Sequence, residues 1–403
     1  MELLIGSFVT VWNKPVYSAP FLSQGLRICF EIPWRYSSWS GDGAHPRTFF
    51  FAHGELTVTL EDIENHWLLP ILGDQDPAEL ELSLEELRIE AALVDYIGRK
   101  NISLWTQAAR LTPWMDHFNR EEDTPIRRAA FVTYWLSKCV FGEYPAYSIK
   151  PLYFPLAIKI AAGACFPLAP LLLGQLYTQL DLLHAEELIE VSCHIITTAF
   201  NSSVVHTFLW EHALKYIRKG RKPYEARNKF ASMPEEVVAH VGDFQGDVPA
   251  VYRWVGSKFY DHSLIPSLDS ESQVCWRPYG VTHCGFAYES VMSGFCNVEA
   301  QDYTLIAEDM RLLTYLSATN AGWLLVLSTS RLQFTAYSTH KVRRQFGFNQ
   351  EVPAVMEIAT SEIPAINPFL KARAFAYWSG IASRVIVLSG DRVGVYTTGM
   401  VNY

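Results

Sequence analysis

The residues best suited to bind a metal ion are three cysteines and one histidine in the second half of the chain. They are Cys275, His283, Cys284 and Cys296. Tetrahedral zinc usually takes its ligands from two tight pairs of the C-x2–4-C or H-x3–5-H type. The spacings here, eight, one and twelve residues, supply no such pair. We therefore interpret the cysteines as buried thiols and predict no metal site, with a zinc site as the alternative.

Histidines and neighbouring acids do not form a recognisable acid–base pattern either. His206 and His212 are six residues apart, which places them about 120° out of phase around a helix. We interpret both, together with His194, as structural histidines with satisfied hydrogen bonds. Adjacent acids such as Glu61 and Asp62 diverge around their helix, and we interpret them as solvated faces and capping charges. No catalytic residue is predicted.

The common catalytic and nucleotide-binding motifs are missing. The sequence contains no G-x-x-x-x-G-K-[ST], G-x-G-x-x-G, G-x-S-x-G, H-E-x-x-H or C-x-x-C motif. Each of these motifs reflects a geometry that its chemistry requires. We therefore predict no cofactor and no small-molecule substrate, and favour a non-enzymatic protein. A cryptic enzyme that acts on nucleic acid, with an unrecognised site in the helical core, is the alternative.

Two basic clusters could contact nucleic acid or a protein partner. The window 215–229, KYIRKGRKPYEARNK, holds seven Lys or Arg residues, and its glycine and proline predict a linker. Lysines and arginines near tyrosines can hold phosphates and stack bases. A solvated hinge, or a patch that meets the chain's own acidic helix, are the other interpretations. The candidate binding residues are Lys215, Arg218, Lys219, Arg221, Lys222, Lys341, Arg343 and Arg344.

The second basic cluster lies in a stretch with the features of a docked helix. Val342 and Phe346 are four residues apart and form a narrow apolar stripe, opposite the basic side chains. Thr339 can cap the helix, and Gly347 followed by Phe348 fits its end. We predict a two-turn helix whose arginines face outward or toward partner carboxylates.

The elements that position these residues begin with a β-hairpin followed by a helix. Two β-prone runs, 48–52 and 56–59, flank a His-Gly-Glu turn. Thr59 is a plausible N-cap of the helix that follows, with Asp62 three residues later.

A helical core follows this unit. Helical periodicity covers 79–98, 127–141, 154–177 and 178–217. The segment 154–177 is long enough to cross a bilayer, but Lys159 lies inside it, and Pro167 and Pro170 interrupt it. We predict two short buried helices that meet at these prolines, and no membrane association.

The C-terminal part alternates helices and strands. A helix at 302–317, strands at 322–327 and 332–337, a helix at 367–383 and a terminal hairpin after it are predicted. The predicted fold is mainly α with small β elements, an α+β arrangement. Its parts are an N-terminal extension (1–44), a helical core (45–217), a basic linker and irregular region (218–300), and a C-terminal α+β part of the same domain (301–403).

Composition agrees with an ordered protein in a reducing compartment. The 403 residues are 49 % apolar and 19 % charged, enough to bury a large core. The seven cysteines are scattered, which is untypical of a secreted disulfide framework. A formal net charge of −9 argues against a wholly basic nucleic-acid-coating protein but allows local basic patches.

Five blocks of the sequence resemble the plant mobile domain, a family also labelled aminotransferase-like. In chain order the blocks read TFFFAHGELTVTLEDI, FVTYWLSKCVF, FPLAIKIAAGACFPLAPLLLGQLYTQL, HTFLWEHAL and HKVRRQFGFNQEVP. The family occurs in plant transposable elements and in host proteins derived from them, including maintenance-of-meristems proteins and the long form of plant protein phosphatase 7.

The resemblance implies a nuclear protein connected with genome stability, transposable-element silencing and meristem maintenance. It also implies nuclear protein partners, among them a phosphatase-like protein of the same family, with nucleic acid as a possible further partner. It supplies no agreed catalytic residues. The aminotransferase-like label has no support in the sequence, because a pyridoxal-phosphate enzyme needs a Schiff-base lysine and a phosphate cup. Lys159 inside an apolar helix is a poor candidate.

Overall fold

The computed structural model of the chain describes residues 47–101, 109–143, 148–188, 201–216, 250, 254, 263–278, 305–320, 322–328, 332–350 and 364–380. Within these ranges the chain is mainly α-helical, with two antiparallel two-stranded sheets. The predicted fold class is confirmed. The predicted terminal hairpin lies outside the described residues.

The N-terminal hairpin–helix unit forms as predicted. Strands β1 (Phe49–Phe51) and β2 (Gly54–Leu56) pair antiparallel, and helix α1 (Leu60–Trp67) follows directly. Thr59 and Asp62 form a reciprocal capping box, in which each side chain accepts from the other residue's backbone N–H. This exchange satisfies two backbone donors at the helix start that would otherwise be buried without a partner.

The helices of the core follow in order. They are α2 (Leu84–Asn101), α3 (Leu111–Phe118), α4 (Thr124–Trp135), α5 (Phe154–Ala161), α6 (Leu168–Leu188) and α7 (Ser202–His212). A π-helical turn, Leu136–Val140, continues α4. Helices α2 to α5 share a small apolar cluster around Trp114, whose Nε1 donates to the Ala130 carbonyl at 3.0 Å. The indole is thus fully buried with its polar atom satisfied.

The apolar segment 154–177 is interrupted before Pro167, as predicted. The prediction of two short helices is wrong for the second one, which runs over 21 residues, and Pro170 does not interrupt it. Helix α5 ends at Ala161, and α6 begins directly after Pro167 with Pro170 in its first turn. Proline is tolerated there because the first backbone N–H groups of a helix have no intrahelical partner. Among the described helices, none is both long and apolar enough to span a membrane.

The C-terminal part packs a β-hairpin on α6. The short helix α8 (Leu264–Leu268) precedes it, and its own elements are α9 (Met310–Thr319), β3 (Gly322–Val326), β4 (Gln333–Tyr337) and α10 (Lys371–Gly380), with β3 and β4 antiparallel. Strand β3 approaches α6 at Gly174, where a Cβ atom would lie 2.1 Å from the Leu325 carbonyl oxygen. Glycine is therefore required at this crossing, because any side chain would push the hairpin away.

The segment Thr339–Phe346 departs from the predicted two-turn helix. It is a 3₁₀ segment that begins after Ser338, so Thr339 is not its cap, and Val342 interrupts it with φ −129° and ψ 38°. The two residues of the predicted apolar stripe, Val342 and Phe346, are both buried. Gly347 ends the segment in the left-handed region at φ 82°. The interruption fits the preference of 3₁₀ structure for short runs.

One apolar cluster joins the two ends of the described chain. It runs from Phe49 in β1 through α6 and α7 to Trp378 in α10. Residues from the predicted helical core and from the predicted C-terminal part therefore share a single core. The proposed domain boundaries themselves stay a prediction.

Candidate functional site

The first turn of α1 places two acidic side chains in the interior of the protein. Glu61 is 2 % exposed and Asp62 is 1 % exposed. The interpretation of these acids as solvated faces is wrong, because α7 and the segment around Arg277 cover them. The capping role of Asp62 is confirmed.

Asp62 forms a buried pair with His212 at the end of α7. Its Oδ1 lies 2.9 Å from the His212 Nε2, and the two side chains are 1 % and 0 % exposed. Its Oδ2 accepts from the Thr59 backbone N–H at 2.8 Å and from the Thr59 hydroxyl at 2.7 Å. Three donors thus compensate the desolvation of this carboxylate.

Glu61 forms the second buried polar pair of the same turn, and this one is an ion pair with Arg277. Arg277 Nη2 donates to Glu61 Oε1 at 2.7 Å, and its Nη1 donates to the Phe346 carbonyl at 2.6 Å. The guanidinium group therefore connects α1 with the end of the 3₁₀ segment. Its planar fork allows it to hold two acceptors from different segments at once.

Gln345 links the 3₁₀ segment to the strand end before α1. Its amide oxygen accepts from the Thr57 N–H, and its amide nitrogen donates to the Thr57 carbonyl, both at 2.8 Å. The side chain is 0 % exposed and pairs with the backbone as a neighbouring strand would. Nearby, the Tyr337 hydroxyl accepts from the Leu60 N–H at 3.1 Å and donates to the Ala318 carbonyl at 2.8 Å.

We call this set of contacts the polar junction. It consists of Thr57, Thr59, Glu61, Asp62, His212, Arg277, Tyr337 and Gln345. Four distant parts of the chain meet there: the hairpin–helix unit, the end of α7, the segment near Arg277, and the hairpin and 3₁₀ segment of the C-terminal part. It is a place where buried polar groups fix how the segments sit against one another.

The basic residues of the 3₁₀ segment contact the protein itself. Arg344 is 8 % exposed, its Nη2 lies 2.7 Å from Glu271 Oε1, and its guanidinium carbon lies 4.0 Å from the Trp276 ring centroid. Arg343 lies over the Phe348 ring at 5.8 Å. Burial lowers the pKa of Lys341, an effect that the nearby Glu55 carboxylate opposes. The contacts described for Lys341, Arg343 and Arg344 are therefore with other residues of the same chain.

Of the basic residues in the window 215–229, Lys215 alone falls within the described residues. Its Nζ lies 3.2 Å from the Ser263 hydroxyl and 5.8 Å from the Tyr216 ring centroid. Arg218, Lys219, Arg221 and Lys222 lie outside the described residues. A binding role for these residues, and for the three of the 3₁₀ segment, stays a prediction.

Two histidines considered from sequence are both hydrogen-bonded. His206 Nδ1 lies 2.8 Å from the Ser202 carbonyl oxygen, and burial lowers the pKa of the ring. His212 bonds to Asp62, as above. His194 lies outside the described residues, as do the candidate zinc ligands His283, Cys284 and Cys296. Within the described ranges, no group of three or more His, Cys, Asp or Glu residues could hold a metal ion.

The Asp62–His212 pair has the composition of a general-base pair, but its surroundings do not suit catalysis. Both side chains are almost completely inaccessible, so a substrate has no approach to the imidazole. The pair can hold α1 against α7. Structural interlocking is the chemistry that this arrangement supports.

One further acid on α1 is electrostatically unusual. Burial, reinforced by the neighbouring Glu61, raises the pKa of Glu64 to about 8. Glu64 is therefore largely protonated at neutral pH, which reduces the charge that the buried helix has to carry.

Comparison with known families identifies the family of this mainly helical chain. A family model of the plant mobile domain matches residues 39–391, nearly the whole chain. The chain belongs to the plant mobile domain family. Comparisons with curated proteins and with solved structures gave no match.

Three of the five blocks that carried the resemblance meet at the polar junction. The first block supplies Thr57, Glu61 and Asp62, the Trp-Glu-His block supplies His212, and the last block supplies Gln345. Sequence reasoning missed the roles of Arg277 and Tyr337. A signal was present for Asp62, whose place three residues after Thr59 is that of a capping box.

Proposed function

We propose that this transposon-associated domain protein is a non-enzymatic nuclear binding module. It acts by holding a protein partner or nucleic acid in processes of genome stability, transposable-element silencing or meristem maintenance. The family membership supports the transposon association, and the nuclear role follows from what the family resemblance implies.

The observation that supports a binding role is the use of the polar junction's side chains. Asp62, Glu61 and Gln345 all contact other parts of the same chain, and each is at most 2 % exposed. The most polar elements of the family blocks therefore stabilise a rigid scaffold. A rigid scaffold, whose buried polar side chains bond to one another, can hold its surface residues in place for a partner.

The protein arm of this proposal is tested by affinity purification of the full chain from plant nuclei treated with nuclease. Recovery of the same proteins with and without nuclease supports direct protein binding. A phosphatase-like protein of the family is the expected class of partner. Loss of all co-purifying protein after nuclease treatment would contradict this arm.

The nucleic-acid arm is tested by retention on double-stranded DNA and on single-stranded RNA at increasing salt. We expect charge reversal of Lys219, Arg221 and Lys222 to weaken retention and to flatten its salt dependence, because fewer counterions are released. Reversal of Lys371, which is not part of the basic window in the sequence and forms an ion pair with Asp74, is the control. Equal retention of parent and triple variant at low salt would show that the window does not bind nucleic acid.

A cryptic enzyme that acts on nucleic acid is the second candidate, and one observation favours it. His212 Nδ1 is buried without a hydrogen-bond partner among the described residues, on a ring whose other nitrogen is held by a carboxylate. Incubation of the full chain with labelled DNA and RNA, compared with His212→Gln, distinguishes the two candidates: turnover that disappears in the variant favours the enzyme.

A further inference from the structure

Residues 263–278, which we call the strap, contact the tip of the N-terminal hairpin through polar groups. His53 Nε2 lies 2.7 Å from the Leu268 carbonyl oxygen. The Ala52 N–H donates to Asp269 Oδ1 at 2.7 Å. Both contacts join parts of the chain that are more than two hundred residues apart, so they hold the strap to the hairpin and not the strap to itself.

The other end of the strap contacts α7 and α1. The Cys275 N–H donates to the His212 carbonyl at 2.7 Å, and Val274 forms an antiparallel bridge with Ala213. Arg277 completes this end with its ion pair to the first turn of α1. The strap thus supplies part of the cover of the polar junction.

The strap also covers one of the candidate binding residues of the 3₁₀ segment. Arg344 is 8 % exposed, and Glu271 and Trp276 of the strap are the residues described above as its ion-pair and ring partners. Glu271 itself is 50 % exposed and belongs to a three-residue 3₁₀ turn. A buried arginine is therefore paired with an acid that stays in contact with water.

The strap buries fewer apolar side chains than the core on which it lies. Its buried members of the main apolar cluster are Leu264, Leu268 and Val274. Residues 269–273 are all exposed, whereas residues 168–177 of α6 are buried without interruption. Segments with few buried apolar contacts and solvent-exposed backbone open at a lower free energy than the core of the same protein.

We propose that the strap detaches as a unit while the helical core stays folded, and that its detachment unmasks Arg344. Glu271 and Trp276 leave the arginine together, because they belong to one short segment. A guanidinium group is a strong donor to anionic oxygens, and in the closed state the strap's own carboxylate occupies it. The closed strap is therefore an autoinhibitory contact. The inference rests on the proposed binding function only in treating Arg344 as a partner contact.

The first measurement is native-state hydrogen exchange of the purified full chain, resolved to single backbone amides. The Cys275 amide reports the strap, because its bond to the His212 carbonyl breaks when the strap leaves α7. Amides of residues 171–177 report the core. We expect the Cys275 amide to exchange at least about 100-fold faster than the slowest core amide, after correction for intrinsic rates. Equal rates would show that the strap opens only when the whole chain unfolds, and would overturn the inference.

The second measurement is the rate at which phenylglyoxal labels individual arginines, read by mass spectrometry. The chain is tested as the parent, as the double variant Asp269→Ala, Glu271→Ala, and as the control Asp74→Ala. Asp74 matches Glu271, since each is the acid of an ion pair and their side chains are 53 % and 50 % exposed. Arg88, with a side chain that is 59 % exposed, is the reference for an accessible arginine in every variant.

In the double variant we expect labelling of Arg344 to be about 5- to 30-fold faster than in the parent, because two polar contacts of the closed state are lost. The exchange rate of the Cys275 amide should rise by the same factor, since one opening controls both. The core amides and the labelling of Arg88 should not change, and Asp74→Ala should behave as the parent.

Three results would overturn the inference. They are equal labelling of Arg344 in the parent and the double variant, an equal increase in Asp74→Ala, and faster labelling of Arg344 without faster exchange at Cys275. The last result would mean that the arginine is uncovered only where Glu271 was removed. Both measurements are made without a partner, so their failure leaves the proposed function standing, and an absence of partners in nuclei leaves the strap standing.

Discussion

Helices α1 and α2 present opposite arrangements of charge and apolar surface. Helix α1 buries acids, with Glu61 and Asp62 at 2 % and 1 % exposure. Helix α2 leaves Leu84 at 86 % exposure beside acids that face solvent. Residue type alone would place both sets the other way round.

The difference shows that the partners available to a side chain decide whether it is buried. The acids of α1 meet an arginine, a histidine and backbone N–H groups, so their desolvation is compensated. The leucines of α2 lie opposite a face that already fills its apolar cluster, so they have nothing left to pack against within the described residues. The buried acids of α1 therefore contribute to stability, whereas the exposed leucines of α2 make no comparable contribution.

The largest expected effect is the loss of the Asp62 carboxylate. Asp62→Ala leaves His212 and the Thr59 donors buried without their acceptor, and we expect a destabilisation of about 3–5 kcal/mol. Equilibrium urea unfolding followed by circular dichroism measures it. Asp74→Ala removes an acid from an ion pair with Lys371 that is 53 % exposed on the acid side, and it is expected to change the free energy of unfolding by less than about 1 kcal/mol. Equal effects of the two variants would remove the distinction between buried and surface charge.

Loss of the Gln345 amide is expected to be the next largest effect. Gln345→Ala leaves the Thr57 N–H and C=O buried without partners, at a cost of about 2–4 kcal/mol. Gln345→Glu keeps an acceptor for the Thr57 N–H but places a carboxylate oxygen against the Thr57 carbonyl. We therefore expect it to lower the free energy of unfolding at least as much as Gln345→Ala does. Urea unfolding measures both variants. A Gln345→Ala chain as stable as the parent would show that the 3₁₀ segment is not held through this amide.

Glu64 is expected to make stability fall as pH rises. Its pKa is raised from 4.5 to about 8 in the folded chain, so the folded state binds the proton more tightly than the unfolded state between these values. The stabilising effect of protonation is present below about pH 4.5 and is lost as pH rises through about 8. Glu64→Gln should therefore gain about 1–3 kcal/mol relative to the parent at pH near 8. Thermal unfolding of both chains from pH 5 to 9 checks this, and parallel curves would contradict it.

The smallest expected effect lies on the exposed face of α2, where Leu84 and Leu87 face solvent. Leu84→Ser and Leu87→Ser should each change the free energy of unfolding by less than about 0.5 kcal/mol, because both side chains are already in water. Leu93→Ser, on the inner face of the same helix and 0 % exposed, should cost several times more. Chemical unfolding of the three variants in parallel compares the two faces. A large loss of unfolding free energy in Leu84→Ser would indicate that another part of the chain covers this face of α2.

Local structure in this chain was largely predictable from sequence. The hairpin and the capping box of Thr59 with Asp62 follow from turn and cap chemistry over a few residues. The break before α6 follows from Pro167, and the left-handed end at Gly347 follows from glycine's freedom at positive φ. Family membership followed from blocks of residues in order along the chain.

The polar junction was not predictable in the same way. Glu61 was interpreted as solvated because its partner, Arg277, is more than two hundred residues away in the chain. The Gln345 side chain pairs with the backbone of Thr57, and this contact leaves no pattern in the sequence around either residue. The kink at Val342 likewise reflects long-range packing that outweighs the local helical pattern of residues 339–346. Long-range polar contacts decide these sites, and periodicity carries no information about them.

The most direct test of the central claim is a double-mutant cycle between Asp62 and His212. Free energies of unfolding are measured for the parent, Asp62→Asn, His212→Gln and the double variant. If the buried pair holds α1 to α7, the single variants lose more in sum than the double variant, with a coupling energy of about 1.5–3 kcal/mol. Additive losses, within about 0.5 kcal/mol, would contradict the account, because the two side chains would then act independently.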